Sequence, residues 1–230
     1  MLYRYVQDNY ERLLQRINEL ASKVGAADVT LVAVTKSGSD DELLALARAG
    51  VTDIGENRPQ ELKRRGELLL SQGFSPRLHE IGNLQKNKVK LIIDKAELIH
   101  SVDSFALGEL IDKKAAEIGR KVGVLVEVNS GEEENKSGIA PALADELVAQ
   151  LRSLKSIEVR GIMTMGPAVS AEELRPYFRK TRRLFEELCG KYDLGPSPIL
   201  SMGMSESFEV AIEEGSTLVR VGRRLFEKQF

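Results

Sequence analysis

The sequence predicts an α/β protein, a single (β/α)8 barrel of the TIM type with one additional N-terminal helix, and three observations carry that prediction. Eight short runs of apolar and β-branched residues recur along the 230 residues. Segments with helical periodicity separate them. The connections are short, with no Pro-, Ser- or Gly-rich linker, repeat or low-complexity stretch to mark a boundary, so residues 1–230 are read as one domain. Runs that stay apolar on both alternating faces are those of strands buried on both sides of a parallel sheet. The regular count of eight favours a closed barrel over a doubly wound sheet.

The elements follow in order. A first helix is expected over 2–24, with Leu13, Leu14, Ile17, Leu20 and Ala21 on one face. Strands are expected at 29–35, 53–55, 78–82, 98–101, 122–128, 159–163, 199–202 and 218–221. Helices are expected between them at 40–49, 58–70, 85–93, 104–118, 140–154, 171–188 and 206–214. Asp40 is placed to cap the helix it opens and Ser205 the helix starting at Glu206, while Gly50 and Gly215 stand where helices should close.

Charge is nearly balanced, 33 Lys plus Arg against 35 Asp plus Glu. No basic face for nucleic acid or an anionic membrane is implied. Cys189 is the only cysteine, which excludes an internal disulfide and fits a reducing compartment; its place in an amphipathic segment suits a core residue better than a nucleophile. The first 19 residues are polar, without the apolar stretch of a secretory leader, and no segment has the length of a membrane span. A cytoplasmic protein is the expectation.

In a barrel, functional residues gather at the carboxyl ends of the strands, and there the least expected residues stand. Lys36 closes the run Thr30-Leu-Val-Ala-Val-Thr35. It is either a charge turning to solvent or an amine available for Schiff-base chemistry. Ser201-Met-Gly-Met-Ser205 follows the seventh strand and Gly222 the eighth, the two loops that in barrels commonly hold a phosphate; a plain helix cap and tight turns are the competing account. Arg220 lies inside the otherwise apolar or small segment Ser216-Thr-Leu-Val-Arg-Val-Gly222 and needs a partner there. A barrel carboxylate is one, and the acceptor nitrogen of a heteroaromatic ligand another. An amine for an aldehyde, a cradle for a phosphate and an arginine for a ring nitrogen together describe pyridoxal 5′-phosphate (PLP), with the arginine leaving that nitrogen unprotonated and the ring a weaker electron sink.

The segments Val32-Ala-Val-Thr-Lys36, Gly55-Glu-Asn57, His79-Glu-Ile-Gly-Asn-Leu-Gln-Lys-Asn87, Lys136-Ser-Gly138, Arg160-Gly-Ile-Met-Thr-Met165, Leu200-Ser-Met-Gly-Met-Ser205 and Gly215-Ser-Thr-Leu-Val-Arg-Val-Gly222 resemble the pyridoxal phosphate homeostasis protein family (YggS/PROSC type). These are single-domain barrels similar to the N-terminal domain of alanine racemase, of the fold type III PLP class, and the match runs through nearly the whole chain. The resemblance implies that Lys36 is the Schiff-base lysine. It implies that Ser201, Gly203, Met204 and Ser205, with Gly222 and Arg223, form the phosphate side, that Arg220 stands by the pyridine nitrogen, and that Asn57 is a polar neighbour of the cofactor. His79 is read as a pocket or structural residue, and Lys136 as a solvated loop charge or a secondary contact. Asn83 stands where many members have proline.

The resemblance also implies PLP buffering and delivery rather than turnover, with no metal and with apo forms of PLP-dependent enzymes as transient recipients. Racemases and decarboxylases of this class, the alternative function, are expected to carry a second β domain and a partner subunit, whereas this chain ends at Phe230. A monomer is expected for the same reason. The five tyrosines, Tyr3, Tyr5, Tyr10, Tyr177 and Tyr192, fall on outer helices, away from the mouth where a proton donor would be needed. A barrel enzyme acting on another phosphorylated substrate is a further alternative, one that would form no Schiff base.

Overall fold

Eight parallel strands pair in sequence order and close through the first and last. The computed structural model describes residues 3–26 and 28–228. The strands are β1 (Thr30–Val34), β2 (Asp53–Glu56), β3 (Arg77–Glu80), β4 (Ala96–Val102), β5 (Val122–Glu127), β6 (Ile157–Met163), β7 (Ile199–Ser201) and β8 (Leu218–Val221). Around them lie α1 (Arg4–Lys23), α2 (Asp40–Arg48), α3 (Pro59–Ser71), α4 (Phe105–Glu117), α5 (Ala144–Leu151), α6 (Ala171–Lys191), α7 (Phe208–Glu213) and α8 (Arg223–Phe226). Leu2, the expected first residue of the first helix, lies outside the described residues. Among those residues no helix is long and apolar enough to cross a membrane.

Strand alternation divides the side chains into two cores. Val32, Leu98, Leu125, Met163 and Leu218, with Ile199, fill the barrel interior. Their neighbours in sequence, such as Leu31, Ala33, Val219 and Val221, face outward and pack under the helices. That is why the strands read as apolar on both faces.

The extra helix has a specific place. α8 is a single turn, too short to cover β8 and β1, and α1 packs there between α2 and α7. Val6, Tyr10, Leu13, Ile17 and Leu20 of α1 join one cluster with Leu31, Ala33, Phe208, Ile212, Val219 and Leu225. Asn9, buried on the same face, donates its side-chain amide to the carbonyls of Leu225 and Glu227. α1 thus serves as the missing eighth helix of the ring.

Three expectations need correction. The cap of α2 is Ser39, one residue earlier than Asp40: Ser39 Oγ accepts from Glu42 N while Glu42 returns the bond to Ser39 N, a capping box. Asp40 is free to make a two-pronged pair with Arg64, at 2.7 and 2.8 Å. The segment 85–93 forms the 3₁₀ turn Lys86–Leu91; its apolar residues cluster at the end, with Val89, Ile92 and Ile93 buried and Leu91 partly so, while Gln85, Lys86, Asn87 and Lys90 are exposed. The helix expected over 140–154 starts as a 3₁₀ turn, Pro141–Leu143, before α5. Gly50 and Gly215 do close their helices with positive φ.

Candidate cofactor site

The strand register sets the depth of each residue at the mouth. Arg220 pairs with Val32 and Val221 with Ala33, so Lys36, two residues past the end of β1, stands four residues nearer the rim than Arg220. It is exposed, beside a cleft of about 370 Å³ that it lines with Asn57, Glu56 and Arg65. Asn57 is half-buried. Behind this rim Thr35 Oγ1 and Arg65 both bond Glu56; Arg65 also holds the carbonyls of Thr35 and Gly38. The turn that carries Lys36 is therefore fastened to α3 by a buried guanidinium.

Beside β1 in the closed barrel, the loops after β7 and β8 are laced together. Gly203 adopts φ +91°, and a Cβ there would lie 2.5 Å from that of Ala211, so only glycine lets the loop turn this tightly against α7. Its carbonyl accepts from Arg220 N. Ser205 does not cap the following helix as the sequence suggested. That helix begins at Phe208 after Ser207, and Ser207 Oγ instead accepts from Met204 N. Ser205 Oγ accepts from Gly222 N at 3.2 Å, joining the two loops. Gly222 passes close to β1, where a Cβ would meet the Val34 carbonyl at 2.9 Å. Met204 is 39% exposed at the rim. The side chain of Arg223 turns away to pair with Glu206 on the surface, leaving its backbone N–H, in the first turn of α8, as the group that can serve an anion.

Arg220 is buried and donates to Ser201 Oγ at 2.5 Å and to the Thr164 carbonyl at 2.9 Å. Of the two partners considered from sequence, a carboxylate is present only electrostatically: Glu127 acts on the guanidinium without a hydrogen bond. Burial lowers Arg220 to about 10, so it stays cationic at neutral pH. Burial, with Asp103 nearby, raises Glu127 to about 7.

Below this level the interior holds a polar chain that sequence reasoning largely missed. His79 lies inside the barrel, buried, with Nε2 2.9 Å from Asp53 Oδ1 and Nδ1 3.0 Å from His100 Nε2. His100 Nδ1 is 3.1 Å from Ser201 Oγ. The signal was present: His100 shares the inward face of its strand with Leu98, as Asp53 does with Gly55 and Glu127 with Leu125. Lys136 bonds the Gly166 carbonyl and pairs with Glu133, and Asn83 donates to Ser137; both tie mouth loops together. Cys189 is half-buried against the outer core, where burial raises its thiol.

These residues suit the three parts of PLP. Lys36 offers an amine at the rim, buried Arg220 offers a fixed cation to a ring acceptor, and the Ser205 hydroxyl, held by Gly222 N–H, with the backbone N–H of Arg223 offers an anion site; the nearby carboxylate of Glu206 is exposed and paired with Arg223.

Barrel topology and rim define a chain of the alanine racemase N-terminal class, and the model of that domain (alanine racemase, N-terminal domain) matches residues 9–228. The chain belongs to the pyridoxal phosphate homeostasis protein family. The protein of that name from Aquifex aeolicus is 39% identical over 222 residues, 95% of this chain and 96% of its own. Among solved structures, an unknown protein from Bifidobacterium adolescentis superposes with a TM-score of 0.89 at 36% identity, covering 97% of this chain and 95% of its own. PipY of Synechococcus elongatus, solved with PLP bound, gives 0.84 at 30% identity, covering 96% and 100%.

Proposed function

We propose that this chain is a PLP-binding protein of intracellular cofactor homeostasis, one barrel domain over 1–230, that holds PLP as a Schiff base on Lys36 and releases it to apo-enzymes. The observation that carries the reading is the placement of Lys36, at the rim just past β1, four residues above the register level of the buried Arg220 on the neighbouring β8 and on the same side of the barrel as the laced Ser201–Ser205 loop. PLP supplies a reactive aldehyde when bound. The chain's own residues then divide the work: Lys36 attaches, Arg220 orients the ring through its nitrogen, and the Ser205 hydroxyl, held by Gly222 N–H, receives the phosphate with the N–H of Arg223. Asn57 and Met204 border the site.

Carriage rather than turnover follows from exposure. Lys36 is open to solvent, which leaves attachment reversible by water or an incoming amine, and a cationic arginine at the ring nitrogen weakens the ring as an electron sink. The tyrosines lie on α1, on α6 and at their ends, in the outer ring. The reading extends to a monomer in the cytoplasm with transient enzyme partners.

Borohydride reduction of PLP-treated protein followed by mass spectrometry is expected to place a pyridoxyl group on Lys36, and Lys36→Ala to lose both the adduct and the visible absorbance while melting normally. An adduct elsewhere would overturn the assignment. Accumulation of D-enantiomers on incubation with L-amino acids would show a racemase instead.

A further inference from the structure

The buried chain beneath Arg220 is continuous enough to carry one proton order from end to end. Arg220 can only donate, so Ser201 Oγ accepts from it. With the Ser201 hydroxyl donating to His100 Nδ1, the His100 proton lies on Nε2, facing His79 Nδ1. His79 in turn carries its proton on Nε2, facing Asp53. Every bond points away from the arginine and toward a carboxylate. His100 is completely buried, and burial holds it neutral, as that order requires.

The far end is anchored at the barrel floor. Asp53 is the first residue of β2 and pairs in register with Arg77, the first of β3. Its carboxylate also accepts from Arg77 at 2.7 and 2.6 Å and from Thr52 at 2.7 Å. From there the chain climbs two residues per strand. His79 is two beyond Arg77, its register partner is Leu98, and His100 is two beyond Leu98. It then crosses the interior from β4 to β7.

We propose that Asp53, His79, His100 and Ser201 are a positioning relay that fixes the Arg220 guanidinium in one orientation and sets, from the barrel floor, the charge it presents to the cofactor ring. A guanidinium bonded only to Ser201 and the Thr164 carbonyl faces two neutral acceptors; a polarised chain ending on a carboxylate strengthens the first of these bonds. The relay rests on the PLP reading for its use, though its proton order can be read in the free protein.

Two measurements test it. In the PLP-free protein, long-range 1H–15N spectra are expected to show His79 and His100 both neutral and protonated at Nε2. In the PLP-loaded protein, Asp53→Asn is expected to move the absorption maximum of the bound cofactor and to weaken PLP binding about three- to tenfold, the worth of one hydrogen bond. Ile54→Val, outward on the same strand, is expected to lower stability and leave both unchanged. A charged or Nδ1-protonated His100 overturns the relay, as does an Asp53→Asn protein whose spectrum and affinity equal the wild type, or an Ile54→Val protein that shifts as far. A wild-type protein that forms no Lys36 adduct overturns the cofactor reading instead, and the tautomers then report on the proton order alone.

Discussion

Ser205 Oγ accepts a hydrogen bond from the backbone N–H of Gly222, a contact that helps hold the loop after the seventh strand against the loop after the eighth. The hydroxyl is buried and its proton is available to a ligand. Ser205→Ala removes the acceptor and the donor together. PLP binding is expected to weaken about tenfold, or about 1.4 kcal/mol, measured by equilibrium dialysis. A change of less than about twofold would exclude Ser205 from the site.

Glu80 gives the fold a pH dependence. It is completely buried beside β2, its one bond comes from Gly82 N, its Oε2 has no partner, and burial raises its carboxyl to about 8. In the unfolded chain a glutamate ionises near 4.3. The unfolded state therefore loses its proton first, and stability falls as pH rises from about 4.5 to about 8. Glu80→Gln removes that term. Urea midpoints of the variant and wild type should separate in favour of the variant between pH 5 and 8.5, by a few kcal/mol at most; parallel curves would contradict the assignment. The window lies above the titration of Asp53. There burial raises the carboxyl, but bonds from His79 and Arg77 outweigh it and hold it far below the usual range.

Ser39 and Asp40 make opposite contributions to what their order suggests. Ser39→Ala opens the capping box and should cost about 1 kcal/mol. Asp40→Asn loses an exposed pair with Arg64 and should cost less than about 1 kcal/mol. Urea denaturation of the two variants ranks them, and the reverse ranking would return the cap to Asp40.

Ile17 is fully buried where α1 meets the barrel. Ile17→Ala is expected to destabilise the whole protein by about 2–5 kcal/mol, in one transition seen equally by far-UV circular dichroism and fluorescence. Separate melting of α1 would show it to be an appendage.

The barrel was legible because burial on both faces leaves β-branched runs that no amphipathic strand would show, as in Thr30–Val34 and Val122–Glu127. The rim was legible for a related reason: Lys36 and Arg220 are charges that packing alone does not explain. What stayed hidden depended on which of two neighbours faces inward or bonds back. Ser39 and Asp40 are both good caps, and Ser205 and Ser207 are equally placed on paper; backbone geometry chose between them. His100 was missed because a single histidine in an apolar strand acquires meaning only when His79, Asp53 and Ser201 arrive from three other strands.

The position of α1 has a consequence for assembly. It precedes every strand, yet its buried face meets not only α2 but also β8, α7 and α8, which follow the other strands, and Asn9 bonds Leu225 across a separation of 216 residues. During synthesis α2 and β1 can cover part of its apolar stripe early, but the part that meets α7, β8 and α8 stays uncovered until those elements have emerged. Closure of such distant contacts carries the largest loop entropy in the molecule. The seam between the first and last strands should therefore set the pace of folding, and nascent chains halted before β8 should be the ones that depend on chaperones.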